Sequence, residues 1–319
     1  MGTGLNSGKK IPRKWGARVL SSTARQAFKP RQLNPNAGLS IILLGTGTPL
    51  PNRKRACAST LVIAGDKTFL VDTGRGFLNN FADTRLRDAN AVLFTHYHSD
   101  HFGEFGDFMV TRTIWGASEP MLVIGPAGAR QTIGNLLNAY KLDNEYRAEH
   151  HGDKWHEDGM KAEIEEAQAG VVYERDGVQI TMFEVDHLPV KPAVGYRFDY
   201  NNQTVVISGD TRKAPVISEF AQDADILVHE VANRTFTEIA QRNLDPRLQA
   251  MSEEMLAYHT LTREVAEIAQ AAHVKKLVLT HFVPWIHTNP VVKAIYVRGM
   301  RKIFRGPIIV GKDGVEIKA

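Results

Sequence analysis

"LFTHYHSDHFGE", residues 93–104, gathers three of the chain's 12 histidines and an aspartate into six positions, as His96, His98, Asp100 and His101. The stretch runs on from an apolar segment, and two residues that alternate off the end of a strand, His96 and His98, point the same way. Asp100 and His101 follow at the turn. A lone histidine reads as a structural residue. Three imidazoles and a carboxylate crowded together would leave polar groups unpartnered unless a cation sits among them, so this cluster reads as a metal site.

Six residues cannot wrap a tetrahedral ion, so further ligands must come from elsewhere. From Ser40 onward, short β-branched apolar runs alternate with helical patterns, the signature of a layered α/β body. The runs are SIILL, STLVIA, TFLVD, AVLFT, MLVIG, QITMFEV, VGYRFDY, TVVIS, DILVHE, KLVLT and PIIVG. Between Ala129 and Tyr140, Ile133, Leu136, Leu137 and Tyr140 fall on one helical face. Residues 142–170 are polar with few strand signals and read as a surface excursion. No Pro/Gly/Ser linker or repeat divides the body. A single domain over residues 39–319 is expected, behind an N-terminal extension of residues 1–38.

Polar residues that can coordinate or titrate cluster just past the ends of the apolar runs: Asp72, His96, Asp210, His229 and His281. In layered α/β proteins that edge is where sites are built. His187 in FEVDHLPV, Asp210 in ISGDTR and His281 in LVLTHF complete a set of seven candidate ligands. Such a set suits two metals sharing a carboxylate, with His96, His98 and His187 on one, Asp100, His101 and His281 on the other, and Asp210 bridging. The nitrogen-rich donors favour two Zn2+ over iron or manganese. A water held between the ions would have its pKa lowered enough to supply hydroxide near neutrality, so the chemistry implied is hydrolysis.

The basic overall balance misleads. Residues 1–38 carry eight lysines and arginines and no acid, which leaves a net charge of −4 on residues 39–319 of a chain whose total is +4. The body therefore lacks the basic surface of a general nucleic-acid binder. The head has three readings: a flexible basic arm, an organelle-type presequence, or an ordered extension. No apolar segment of secretory type follows its charges, and no run of 18 apolar residues suggests a membrane span, so a cytoplasmic location without a membrane partner is expected. The single cysteine, Cys57, excludes an internal disulfide and fits a reducing compartment.

THYHSDH resembles the His-x-His-x-Asp-His signature of the metallo-β-lactamase superfamily. The order Asp72, that motif, His187, Asp210 and His281 is similar to the superfamily's five-motif layout over residues 40–285. The resemblance implies an αββα sandwich of two facing mixed sheets with outer helices, and metals at one edge. LLGTGTPLPNRKRACAST, GDTR, LVHE, YHT and LTHF resemble the branch that includes RNase Z and the metallo-β-lactamase-fold arylsulfatases. That branch implies catalytic roles for His259, in proton transfer, and for His229, beside the metals. It also implies that Glu230 orients a histidine, that Asp72 orients a ligand from behind, and that Asp100 serves both metal and catalysis. Against each histidine stands a structural, hydrogen-bonded reading.

Substrate is read from finer features. Only 22 residues separate His187 from Asp210, filled by two strand patterns and a turn at Asn201 and Asn202. Many RNase Z proteins carry a long tRNA-gripping arm there. Its absence, with the acidic body, favours a small ester or amide-type substrate: an aryl sulfate, a phosphodiester or a β-lactam. An RNase Z-like tRNA 3′-processing endonuclease is the first alternative, with the basic head as a substitute grip. A β-lactamase descended from such an enzyme is the second. Arg53, Arg55 and Arg212 are candidates to hold a substrate oxyanion, Lys54 beside them, with a solvated basic loop as the bland alternative. Phe102, Phe105, Phe108 and Trp115 read as core, and His150, His151 and His156 as a polar surface loop. Relatives in this branch are often dimers, so a homodimer is expected by resemblance alone.

Overall fold

The computed structural model describes residues 29–287 and 289–319. Residues 1–28, most of the basic head, lie outside the described residues. Of the rest of the head, Arg31 donates its backbone N–H to Arg85 O at 2.9 Å and pairs its guanidinium with Glu316 at 3.0 Å.

Fourteen strands are described: β1 Leu39–Gly45, β2 Ser59–Ala64, β3 Lys67–Val71, β4 Ala91–Leu93, β5 Met121–Gly125, β6 Ala162–Glu166, β7 Gly170–Arg175, β8 Val178–Glu184, β9 Val194–Tyr200, β10 Gln203–Ile207, β11 Ile226–Ala232, β12 Lys276–Val283, β13 Ile308–Val310 and β14 Glu316–Lys318. They form two seven-stranded sheets, in the orders β14-β1-β2-β3-β4-β5-β6 and β13-β12-β11-β10-β9-β8-β7. Each sheet is mixed: β1, β2 and β3 pair antiparallel and β3 to β6 parallel, while β7 to β10 pair antiparallel and β10 to β13 parallel.

The sheets face each other across a core that includes Leu43, Val62 and Phe69 from one and Met182, Phe198 and Val228 from the other. On the outer face of the first sheet, Phe77 and Phe81 of helix α1 (Phe77–Asp83) pack with Phe105 and Phe108 of a later helix. On the second, Ile217, Val265 and Ile268 cover the strands. The result is the expected αββα sandwich. Strands buried on both faces are rich in apolar residues, which is why β1 carries IILL and β2 carries LVIA.

All eleven apolar runs named above lie on strands. The surface excursion at 142–170 needs correction, because it contains a helix, Lys141–His151, and the edge strand β6. The segment AEIEE carries one apolar side chain and four flanking polar or small ones, the composition of a protected edge rather than a core strand. No helix among the described residues is long and apolar enough to cross a membrane.

Candidate metal centre

The centre forms where strand ends from both sheets meet. From the first sheet come Asp72, directly after β3, and the His96 to His101 segment, just past β4. From the second come His187 after β8, Asp210 after β10, Glu230 in β11 and His281 in β12. Two backbone devices aim these groups. In the β11–β12 ladder Glu230 faces Thr280 but Val231 faces Phe282, so His281 is the extra residue of a bulge, with a left-handed φ of 43°. Gly209 has φ of 62°, and a side chain there would meet Val194 O at 2.5 Å, so only glycine lets Asp210 turn into the site.

One carboxylate oxygen, Asp210 Oδ2, sits at the middle of four imidazoles. It lies 3.3 Å from His101 Nε2, 3.3 Å from His281 Nε2, 3.9 Å from His96 Nε2 and 4.0 Å from His187 Nε2. His96 Nε2 and His98 Nδ1 converge to 3.0 Å, and His281 Nε2 is 3.3 Å from Asp100 Oδ2. His96, His98, His187 and Asp210 form one group whose ligand atoms lie within 4.8 Å of one another, and Asp100, His101 and His281 form a second. A third such group joins Asp210 and His281 with His259. All of these are buried except His98, which is exposed at the rim of the cluster.

The arrangement fits metal ions by its unspent donors. His101 Nε2 and His187 Nε2 are fully buried with no hydrogen bond, whereas the opposite nitrogen of each ring is tied back. His101 Nδ1 is 2.7 Å from Asp72 Oδ2, and His187 Nδ1 donates to Tyr258 O at 3.0 Å. His96 Nδ1 is 3.1 Å from Thr95 Oγ1. Burial opposes ionisation of Asp210, but the His281 and His101 rings outweigh it and hold the carboxyl well below its usual range.

Asp72 is itself held by three donors: Thr95 N at 2.9 Å, Thr95 Oγ1 at 2.8 Å and His101 Nδ1. Its φ of 62° is a left-handed conformation uncommon for a residue other than glycine. Thr95 was not singled out in the sequence, though its place at the head of THYHSDH was a signal. Glu104, at the end of the opening stretch, accepts from Gly76 N at 2.9 Å and Leu78 N at 3.0 Å, capping α1 behind the motif.

His259 stands beside the cluster, its ring 5.4 Å from that of His187 and 5.3 Å from that of His281. Its Nδ1 lies 3.2 Å from Glu230 Oε2, a close ion pair that falls short of hydrogen-bond alignment. Glu230 Oε1 accepts from Thr260 N at 2.7 Å, so Glu230 fixes the loop that carries His259. Burial works against protonating His259, yet the Glu230 carboxylate prevails and raises its pKa.

Among the described residues, His229 joins none of the groups whose atoms converge closely enough to hold a metal. It shares the strand parity of Leu227 and Val231, which pack outward under the helices, and its Nδ1 is 2.7 Å from Glu230 O. Arg53 and Lys54 are exposed and line a surface cleft of about 730 Å³ with Arg75 and Cys57. Arg55 is buried over the Phe282 ring, donating to Gly311 O at 3.1 Å and Ile286 O at 3.3 Å, so most of its donors serve the fold. Arg212 is paired with Asp186 at 2.6 Å. Phe105 and Phe108 are fully buried, and His150 and His151 are exposed on a helix end.

Two facing mixed sheets with a histidine and aspartate centre at one edge define a metal-dependent hydrolase of the metallo-β-lactamase superfamily. Comparison with known proteins narrows this. A family model described as Anti-Pycsar protein Apyc1 matches residues 39–281. Ribonuclease Z of Mycolicibacterium gilvum (strain PYR-GCK) is 38% identical over 251 residues, 77% of this chain and 85% of the relative. Among solved structures, the metallo-β-lactamase fold protein YhfI from Bacillus subtilis superimposes with a TM-score of 0.62 at 20% identity, covering 89% of this chain and all of that one. Human tRNase Z, short form, gives 0.62 at 18% identity, covering 88% and 98%. The chain belongs to the RNase Z-like branch of the metallo-β-lactamase superfamily.

Proposed function

We propose that the protein is a phosphodiesterase that cleaves RNA, in the manner its relatives named Ribonuclease Z suggest, with 3′-extended precursor tRNA as the substrate class. His96, His98, His187 and Asp210 would hold one ion, and Asp100, His101 and His281, sharing Asp210, a second; zinc suits this donor set. Bound there, such ions lower the pKa of a water molecule and polarise a phosphoryl oxygen.

The chain's own groups supply the rest. Asp72 holds the His101 tautomer that leaves Nε2 free, and the Tyr258 carbonyl does the same for His187. His259, anchored at Nδ1 by Glu230, presents its other nitrogen to the departing oxygen and gives it a proton. Arg53 and Lys54, exposed in their surface cleft, would meet phosphates flanking the scissile one.

The observation that carries the reading is this His259–Glu230 pair beside the cluster. A ribose oxygen leaves as a strongly basic alkoxide and needs a proton, whereas the phenolate of an aryl sulfate leaves without one. The relatives favour RNA over the aryl sulfate and β-lactam expected from the sequence. The short interval between His187 and Asp210 does not oppose this, since an alignment of 251 residues taking in 77% of the chain has little room for a long insertion in the relative either.

A second reading, a small phosphodiester, draws support from a family model described by a name other than ribonuclease. The deciding experiment assays zinc-loaded protein, with Asp210→Ala as control, on a 3′-extended precursor tRNA, a dinucleotide, an aryl sulfate and a chromogenic cephalosporin. RNA cleavage lost in the variant supports the proposal. Turnover confined to the dinucleotide favours the second reading, and turnover confined to the sulfate or cephalosporin defeats both.

A further inference from the structure

Tyr258 caps the helix Pro246–Ala257 and immediately precedes His259. Its backbone oxygen takes the Nδ1–H of His187 at 3.0 Å. Its ring stands edge-on to the His187 ring, at 5.3 Å and 82°, and tilted against the His259 ring, at 5.0 Å and 49°. The residue is half-buried, and among the described residues its hydroxyl makes no hydrogen bond. Tyr97, Tyr196 and Tyr296 differ, for their hydroxyls donate to Pro126 O, Phe94 O and Val231 O at 2.6, 2.7 and 3.0 Å.

The tie to His187 uses only the main chain, which any residue would provide, so it does not account for an aromatic side chain. A half-buried ring with an unspent donor stands beside both a candidate ligand and the histidine proposed to give the proton, within reach of a substrate held at the centre. Aromatic rings in such positions recognise flat groups by stacking, with every base offering a π-face.

We propose that Tyr258 is a substrate-contacting residue that stacks on the base of the nucleotide whose oxygen departs beneath His259, with its hydroxyl donating to that nucleotide. This rests on the phosphodiesterase reading and narrows it, because a diester with a base next to the scissile phosphate is then preferred over one with an aliphatic group.

The test compares zinc-loaded wild type, Tyr258→Phe and Tyr258→Leu. Metal content, measured first, is expected to be equal in all three, since the carbonyl that orients His187 remains. Calorimetry then follows two probes, inorganic phosphate and adenosine monophosphate. Tyr258→Leu should weaken the nucleotide about 10-fold, the size of a lost base–aromatic stack, and phosphate less than about 2-fold. Tyr258→Phe should recover most of the nucleotide affinity.

Equal weakening of both probes together with metal loss would overturn the proposal, assigning Tyr258 to the support of His187. So would nucleotide affinity unchanged in Tyr258→Leu, or a wild type that binds the nucleotide no more tightly than phosphate. Hydrolysis of bis-p-nitrophenyl phosphate separates the two levels. If wild type turns it over while nucleotide binding ignores Tyr258, the residue's role fails and the phosphodiesterase stands; if no phosphodiester is turned over, the underlying reading fails first.

Discussion

Replacing Asp72 by Asn changes one buried oxygen into an NH2 and removes one charge, at a point where three donors converge. Oδ1 accepts from Thr95 N at 2.9 Å, and Oδ2 accepts from Thr95 Oγ1 at 2.8 Å and faces His101 Nδ1 at 2.7 Å. With the amide oxygen toward His101, the NH2 confronts the Thr95 N–H and one buried donor loses its partner, costing about 1–3 kcal/mol. With the amide reversed, the NH2 confronts His101 and favours the tautomer whose Nε2 carries the proton, which cannot bind a metal. Set against this, burial raises the Asp72 pKa, so neutralising it removes a desolvation cost. The two effects roughly offset in the metal-free protein, whose stability should change by no more than about 1 kcal/mol. Metal binding has no such compensation and should weaken about 10–100-fold. Zinc affinity is read by competition with a chromophoric chelator, and stability by urea unfolding of chelator-treated protein. Unchanged zinc affinity would refute the reasoning; metal-free destabilisation of several kcal/mol would make Asp72 a folding residue first.

Two further outcomes follow from packing around the centre. Gly74→Ala would place a methyl group 2.0 Å from Asp100 O and 2.7 Å from Cys57 Cβ, so thermal unfolding should show a loss of at least about 1–3 kcal/mol and zinc should bind more weakly as Asp100 is displaced. Arg112→Met removes a buried guanidinium that pairs with Asp88 at 2.7 Å and donates to Glu119 O and Gly159 O at 3.0 and 2.6 Å. Urea denaturation should report about 2–3 kcal/mol less stability with zinc affinity unchanged, because none of these groups reaches the centre.

The sequence was most legible where one physical rule decided the residue type. Strands covered on both faces carry short β-branched apolar runs, so the LVIA of STLVIA and the LVL of KLVLT marked them. The seven candidate ligands were legible because imidazoles and carboxylates gathered at the ends of such runs are costly to bury without a cation to satisfy them. What escaped depended on geometry that residue types do not encode. The bulge that turns His281 into the site leaves no mark in LVLTHF. Nor does the strand parity that carries His229 outward while Glu230 turns in, since both residues follow the same apolar run. Arg55 looked like an anion ligand beside Arg53 and Lys54, yet it is drawn under Phe282 by carbonyls from two distant segments, Gly311 and Ile286. Tyr258 stands in the YHT motif, but its tie to His187 runs through the main chain, which no residue type encodes.

The leaving-group dependence of His259→Ala tests the central claim most directly. Zinc-loaded wild type and variant are compared on a 3′-extended precursor tRNA and on bis-p-nitrophenyl phosphate, with metal content matched. If His259 gives its proton to a ribose oxygen, RNA cleavage should fall about 10²–10⁴-fold while the nitrophenyl ester, whose phenolate needs no proton, loses far less. Equal losses on both substrates, or none on the RNA, would contradict the account.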